Sequence, residues 1–166
     1  GSVCDPNVSL AQKYARQYRV DNNSFSEIKN DPRIEGVVLA VPAPLHASLA
    51  IEAIEAGKNV YVEKPLAMNN IEAIQIIDAA KKHNVHLMVG HLLQYHPAFV
   101  MLRRLVDSGK LGDLQYIYSN RLSFGKVRSD EDVIWSFAPH DISMILSLAG
   151  QEPELVRTEA LRILQD

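Results

Sequence analysis

The segment of residues 57–68, GKNVYVEKPLAM, joins a charged pair to the end of a short apolar run. Gly57 is suited to ending a helix before the run, and Glu63, Lys64 and Pro65 follow it. Because ligands bind outside the carboxyl ends of parallel strands, an α/β protein would carry a reactive side chain here. Pro65 fixes its own φ at about −65° and turns the chain directly after Lys64. The other interpretation is a solvated Glu–Lys pair at a strand end.

Histidine is the second residue type in this sequence that could do acid–base chemistry. His140 lies within residues 134–142 and is followed by Asp141. Because histidine titrates near neutral pH, His140 is a candidate general base for a hydroxyl proton. The same Pro139-His140-Asp141 segment fits a helix start, with proline in the first turn and the aspartate favoured by the helix dipole. Both interpretations can hold together.

The histidines at positions 83, 86, 91 and 96 raise the question of a metal site. His91 and His96 are five residues apart, a spacing that does not place them on one helical face. No cysteine or well-spaced carboxylate completes a set of ligands around them. The sequence therefore predicts no metal site.

Several segments are informative because of the order in which they occur. They are residues 37–41 (VVLAV), 42–46 (PAPLH), a predicted helix over 47–56, residues 57–65 (GKNVYVEKP), 89–91 (VGH), 95–97 (YHP) and 138–141 (APHD). Together they resemble the Gfo/Idh/MocA family of oxidoreductases, named for glucose-fructose oxidoreductase and inositol dehydrogenase. The resemblance covers residues 3–156 and is specific because separate motifs agree.

This resemblance implies an NAD-dependent oxidoreductase that acts on a hydroxyl or keto group of a sugar, nucleotide-sugar or cyclitol. In such an enzyme a hydride passes between a substrate carbon and the nicotinamide. The resemblance assigns catalysis to Lys64 and His140, with Lys64 polarising the substrate oxygen or relaying its proton. It assigns cofactor binding to Asp5, Pro42, His46, Glu63 and Lys64, and substrate binding to Lys64, Gln94, Tyr95, Ser136 and His140.

Two of these positions depart from the pattern that is common in the family. Gln94 stands before Tyr95 where many relatives carry an arginine, so an anionic group of the substrate is not indicated there. Ser136 stands four residues before His140, where relatives commonly have an aspartate. A serine can hydrogen-bond a substrate, but it supplies no negative charge to raise the basicity of His140.

Two of the predicted cofactor residues have alternative interpretations. By the resemblance, Asp5 ends a strand and binds the adenosine ribose, and an acid there repels a 2′-phosphate, which favours NAD over NADP. Asp5 could instead cap the helix that follows Pro6. His46 could either contact the nicotinamide half of the cofactor or be a helix-start residue whose ring is satisfied by the backbone.

The predicted fold class is α/β, because strand and helix patterns alternate in the rhythm of right-handed βαβ units. No G-x-G pair occurs among the eight glycines. We therefore expect an incomplete Rossmann-like parallel sheet that lacks its first strand and its G-x-G-x-x-G turn. Residues 3–112 are predicted to form this partial dinucleotide-binding domain, and residues 113–166 the start of a truncated α+β substrate domain.

The absent strand would lie in the middle of the usual strand order 3-2-1-4-5-6. Residues 37–41 form an unbroken apolar run, which predicts a strand buried on both faces. Without its neighbour this strand would expose an apolar edge that can pair with another chain. We expect either a homo-oligomer formed through this edge or a sheet rebuilt from fewer strands. The alternative function is a catalytically inactive Rossmann-like remnant that self-associates or binds a partner.

Further elements follow from hydrophobic periodicity. A helix is expected over residues 70–82, with its inward residues at Ile71, Ala73, Ile74, Ile77 and Ala80. A strand is expected over 114–123, a loop over 124–133, and helix within the tail 153–166.

Composition narrows the possible partners and location. The chain is 47% hydrophobic and 22% charged, which is ordinary for a globular protein. A net charge of −3 gives no basic surface, so nucleic acid is not an expected partner. No apolar run approaches a membrane span and no signal peptide is recognised, so no membrane partner is expected. The single cysteine, Cys4, is expected to be a small buried residue, and its isolation fits a cytoplasmic protein.

Overall fold

The computed structural model describes residues 1–122 and 133–159 of the 166-residue chain. The residues group into two compact units, Gly1–Gly90 and His91–Asp166. The boundary expected after residue 112 follows the family resemblance rather than spatial contacts, and it stays a prediction.

The first unit is an α/β fold, as the sequence predicts. Its elements in chain order are β1 (Ser2–Val3), α1 (Val8–Tyr18), β2 (Asp21–Asn22), α2 (Phe25–Asn30), β3 (Gly36–Leu39), a 3₁₀ turn (Ala43–Leu45), α3 (His46–Glu55), β4 (Asn59–Val62), α4 (Asn70–His83) and β5 (Leu87–Val89).

The strands form two separate parallel sheets. β1 pairs with β2 in one sheet, and the other sheet has the order β3-β4-β5. In the described residues, β1 and β3 are not neighbours and β3 has a hydrogen-bonded partner on one side only. This agrees with a Rossmann-like sheet that lacks its central strand, and it leaves β3 as an edge.

The core of this unit lies on one face of the three-stranded sheet. Leu39 and Val62 are paired across β3 and β4, and they pack with Ile54 of α3 and Ile76 of α4. The opposite face carries Val38, which is 70% exposed. The expectation that this strand is buried on both faces is therefore wrong, because α3 and α4 both cover the same side.

The buried face of α4 agrees only in part with the expected one, since Ala73 and Ala80 pack in the core as expected. Ile76 is fully buried, whereas Ile71 is 72% exposed and Ile74 is 51% exposed. The helix contains two apolar stripes, and packing against α3 rather than periodicity selects the one with Ile76. The helix is capped by Asn69, whose side-chain oxygen accepts a hydrogen bond from the Glu72 N–H at 2.9 Å.

The second unit contains a 3₁₀ turn (Leu92–Tyr95) and two helices, α5 (Pro97–Asp107) and α6 (Val133–Ala149). Because α6 begins at Val133, Pro139 lies inside the helix, and the expectation of a helix start at this proline is wrong. Most of the loop expected over 124–133 lies outside the described residues.

The strand expected over 114–123 is wrong for its described part, since residues 114–122 form no strand. Tyr116 and Tyr118 are 83% and 77% exposed, respectively. A strand is stable only when neighbours accept its backbone hydrogen bonds, and alternation in the sequence does not supply them. The described part of the tail, residues 153–159, is likewise not helical, and residues 160–166 lie outside the description.

Candidate functional site at the carboxyl ends of the strands

The predicted cofactor residues of the first unit follow the carboxyl ends of parallel strands. Asp5 comes after β1, Pro42 and His46 after β3, and Glu63 and Lys64 after β4. These are the positions at which open parallel sheets bind ligands.

The turn after β4 is held by the Glu63 side chain. The Glu63 N–H donates to the Leu39 carbonyl at 3.0 Å, which extends the ladder between β3 and β4 by one bond. Its carboxylate accepts hydrogen bonds from the Lys64 N–H at 3.3 Å and from the Tyr61 hydroxyl at 3.4 Å. Lys64 itself is half-buried, and its peptide bond to Pro65 is cis. The Glu63 hydrogen bonds thus hold the turn, and Lys64 is half-buried rather than fully solvated.

Gly90 packs against this corner from the neighbouring strand end. A Cβ at Gly90 would lie 2.8 Å from the Glu63 Oε2 atom and 2.8 Å from the Tyr61 hydroxyl. The Glu63 carboxylate can occupy its place only because residue 90 has no side chain. Gly90 lies in the sequence segment 89–91, which gives no sign of this role, because the role depends on the β4–β5 register.

His46 is buried beneath the same loops, with a residue exposure of 1%. Its Nδ1 lies 2.6 Å from the Pro65 carbonyl oxygen, and its Nε2 lies 2.9 Å from the Val41 carbonyl oxygen. Both ring nitrogens therefore face backbone, which is the second of the two interpretations given for this residue.

Asp5 lies half-buried after β1, and its Oδ1 accepts a hydrogen bond from the Asn7 N–H at 2.7 Å. The cap of α1 is Asn7, whose side-chain oxygen accepts from the Leu10 N–H at 3.1 Å. The capping alternative for Asp5 is therefore wrong, and its contact with a ribose stays a prediction. Pro42 is exposed, and so is Cys4, contrary to the expectation that Cys4 is buried.

In the second unit, α6 carries both Ser136 and His140 in half-buried positions. Their spacing of four residues puts them on one face of the helix. The ring of His91 lies edge-on to the His140 ring, with 6.2 Å between their centroids. Sequence reasoning rejects His91 as part of a metal site and contains no prediction of this pairing.

His91 brings a buried nitrogen to this pair. Among the described residues its Nδ1 has no hydrogen-bond partner, and burial lowers the pKa of the ring below its ordinary value. A lowered pKa favours the neutral ring, so His91 adds no positive charge next to His140.

Asp141, which follows His140, is engaged elsewhere. The Arg121 guanidinium donates to its two carboxylate oxygens at 2.7 and 3.2 Å, and the Ser119 hydroxyl donates at 3.1 Å. The Arg121 hydrogen bonds lower the pKa of Asp141, with smaller contributions from Ser119 and from the charges of Arg121 and His140. All three residues border an open cleft of about 410 Å³ together with Phe137 of α6.

Gln94 and Tyr95 lie in the 3₁₀ turn that opens the second unit. The Gln94 N–H donates to the His91 carbonyl at 2.9 Å, and the residue is half-buried. Tyr95 is 64% exposed, so its ring is available to a ligand but is not held by packing.

Comparison with known proteins decides the family. Residues 2–91, more than half of the chain, match the family model described as an oxidoreductase family with an NAD-binding Rossmann fold, GFO_IDH_MocA. The chain belongs to the Gfo/Idh/MocA oxidoreductase family. The matched residues include every strand end of the first unit.

A curated relative is similar over most of this chain. The levoglucosan dehydrogenase of Pseudarthrobacter phenanthrenivorans is 31% identical over 164 residues, which cover 90% of this chain and 42% of the relative. The chain thus spans about half the length, or less, of the curated relatives it matches.

Solved structures are similar to this chain as well. A protein provisionally named a myo-inositol dehydrogenase, from Sinorhizobium meliloti 1021, has a TM-score of 0.82 and 26% identity, covering 92% of this chain and 48% of its own. A levoglucosan dehydrogenase in complex with NADH and levoglucosan has a TM-score of 0.63 and 34% identity, covering 67% of this chain and 30% of its own.

Two further findings concern only residues 1–122 and 133–159. No group of three or more metal-ligating side chains is close enough there to hold a metal ion. No helix in this part is long and apolar enough to cross a membrane. The cytoplasmic location and the homo-oligomer stay predictions.

Proposed function

We propose that this chain contributes to an NAD-dependent oxidoreductase that interconverts a hydroxyl and a keto group on a sugar, nucleotide-sugar or cyclitol. The observation that carries the proposal is the half-buried Lys64 on a turn held by Glu63 at the carboxyl end of β4. The levoglucosan and inositol dehydrogenases among its relatives support the substrate class.

The strand ends of the first unit fit a nicotinamide dinucleotide at two places. Asp5 offers a half-buried carboxylate after β1, suited to the ribose hydroxyls, and Pro42 offers an exposed surface after β3. The pyrophosphate has no such counterpart, because the chain contains no G-x-G pair. The carboxylate of Asp5 would repel a 2′-phosphate, which favours NAD over NADP.

When bound, the nicotinamide supplies the carrier of the hydride. Lys64 would donate a hydrogen bond from its Nζ to the reacting oxygen, which stabilises negative charge on that oxygen. His140 would accept the hydroxyl proton at Nε2, because its Nδ1 is the buried nitrogen of the ring. Ser136, on the same face of α6, would hydrogen-bond a neighbouring hydroxyl, and Gln94 and Tyr95 would contact the rest of the substrate.

The non-catalytic alternative, a Rossmann-like remnant that self-associates, is not favoured by the family match. Its support is the open edge of β3. The two functions differ in a simple measurement, since only the oxidoreductase needs to bind a dinucleotide.

The test is a titration of NAD, NADH and NADPH into the protein, followed by assays with myo-inositol, levoglucosan and nucleotide-sugars. Lys64→Ala should lower the oxidation rate by about 100-fold or more, because a positioned proton-transfer or charge-stabilising group is lost. NADH affinity should change less than the rate does.

The matched control is Lys82→Ala, which removes an exposed lysine from α4. This variant should keep the full rate. Equal rates for Lys64→Ala and Lys82→Ala would overturn the role of Lys64. Absence of any saturable dinucleotide binding would overturn the proposed function itself.

A further inference from the structure

The imidazole of His46 contacts two loops that lie beyond the last backbone hydrogen bond between β3 and β4. The last backbone bond between β3 and its neighbour runs from the Glu63 N–H to the Leu39 carbonyl at 3.0 Å. Beyond it the chain continues to Val41 on one side and to Lys64-Pro65 on the other. The carbonyls of Val41 and Pro65 both face the ring of His46, at 2.9 and 2.6 Å.

Two carbonyl oxygens cannot bond to each other, because both only accept hydrogen bonds. A group placed between them must donate in two directions. Neutral imidazole carries one N–H, so one of the two carbonyls would face a lone pair at hydrogen-bond distance. Imidazolium carries two, and it satisfies both carbonyls. His46 itself is 1% exposed, so its ring contacts protein groups rather than bulk solvent.

We infer that His46 is a positioning residue that donates from both ring nitrogens and ties the loop after β3 to the turn that carries Lys64. Pro65 directly follows Lys64, so the Nδ1 contact fixes the chain one residue from the lysine. The consequence for catalysis rests on the proposed function of Lys64, whereas the tie between the loops does not.

The first experiment is ¹⁵N NMR of the histidine side chains in the unmodified protein at pH 7. Both ring nitrogens of His46 should show the shift of protonated nitrogen, and each should correlate with its own hydrogen. A pyridine-type nitrogen in this ring would overturn the inference, because one of the two contacts would then not be a hydrogen bond. This readout needs neither a variant nor activity.

The second experiment compares amide hydrogen exchange in His46→Phe, which keeps a ring but removes both donors, and in His46→Gln, which keeps a side-chain donor. In His46→Phe, exchange within residues 63–68 should rise on the order of tenfold or more, since both hydrogen bonds of the ring are lost. Amides in the middle of β4 and α3 should change little. His46→Gln should restore part of the protection.

The control is His86→Phe, because His86 is exposed in the same unit. It should leave residues 63–68 unchanged. A uniform rise across β4 and α3 in His46→Phe, without a local excess at 63–68, would reduce His46 to an ordinary core residue and overturn the inference. If the unmodified protein binds no dinucleotide while these results hold, the proposed function fails and the role of His46 in the loops stands.

Discussion

Gly90 is the residue at which a single added methyl group would disturb the Lys64 turn most directly. Its absent Cβ leaves the space that the Glu63 carboxylate and the Tyr61 hydroxyl occupy. Gly90→Ala would put a carbon 2.8 Å from both oxygens, so the carboxylate must leave its contact with the Lys64 N–H. Both oxygens are at the ends of side chains that can turn away, so we expect a loss of no more than about 1 kcal/mol in the free energy of unfolding, measured by urea denaturation.

The matched experiment repeats this substitution in a Glu63→Ala background. Without the carboxylate, a Cβ at position 90 contacts one oxygen rather than two. Gly90→Ala should therefore lower the free energy of unfolding by less in this background. The difference between the two backgrounds is the coupling energy of the pair. If Gly90→Ala lowered the free energy of unfolding equally in both backgrounds, the close approach to Glu63 would not be the reason that residue 90 is glycine.

The candidate site could be predicted from sequence only where it depends on strand ends. Lys64 and Asp5 follow short apolar runs, so their places at the edge of a sheet are local information. The contacts of His46 with Pro65 and of His91 with His140 join residues that are 19 and 49 positions apart. Such contacts depend on packing, and a glycine or a histidine gives no local signal of its partner.

At the scale of elements, α4 shows which features follow from periodicity and which follow from packing. Its extent follows from local pattern, but its sequence carries apolar residues on two stripes. Burial against α3 selects Ile76 and leaves Ile71 in solvent. The strand expected near Tyr116 fails for a related reason, since alternation predicts a face and not the neighbour that must pair with it.

The two isoleucines of α4 allow a matched test. Ile76→Ala removes a fully buried side chain and should lower the free energy of unfolding by about 2–5 kcal/mol. Ile71→Ala removes a side chain that is 72% exposed, and its effect should stay within about 0.5 kcal/mol. Urea denaturation followed by circular dichroism measures both. Equal losses would contradict the helix orientation described here.

At the scale of the whole molecule, the open edge of β3 is the feature most suited to association with a second chain. Glu35 and Leu39 direct their carbonyls to the β4 side, accepting from Asn59 and Glu63. Because backbone groups alternate along a strand, those of Val38 point to the open side. Unpaired edges invite pairing with other chains, and natural proteins block them with charges such as lysine.

Two lysine substitutions at equally exposed positions test whether the protein self-associates through this edge. Val38 is 70% exposed and Ile71 is 72% exposed, so both Val38→Lys and Ile71→Lys replace a solvent-facing apolar side chain. If the edge pairs, sedimentation velocity over a range of concentrations should show a dimer for the unmodified protein and for Ile71→Lys. Val38→Lys should sediment as a monomer, because a charge on the edge strand opposes pairing. If Ile71→Lys alone sedimented as a monomer, the interface would lie on α4 rather than on β3. A monomeric mass for the unmodified protein at every concentration would rule out pairing through β3.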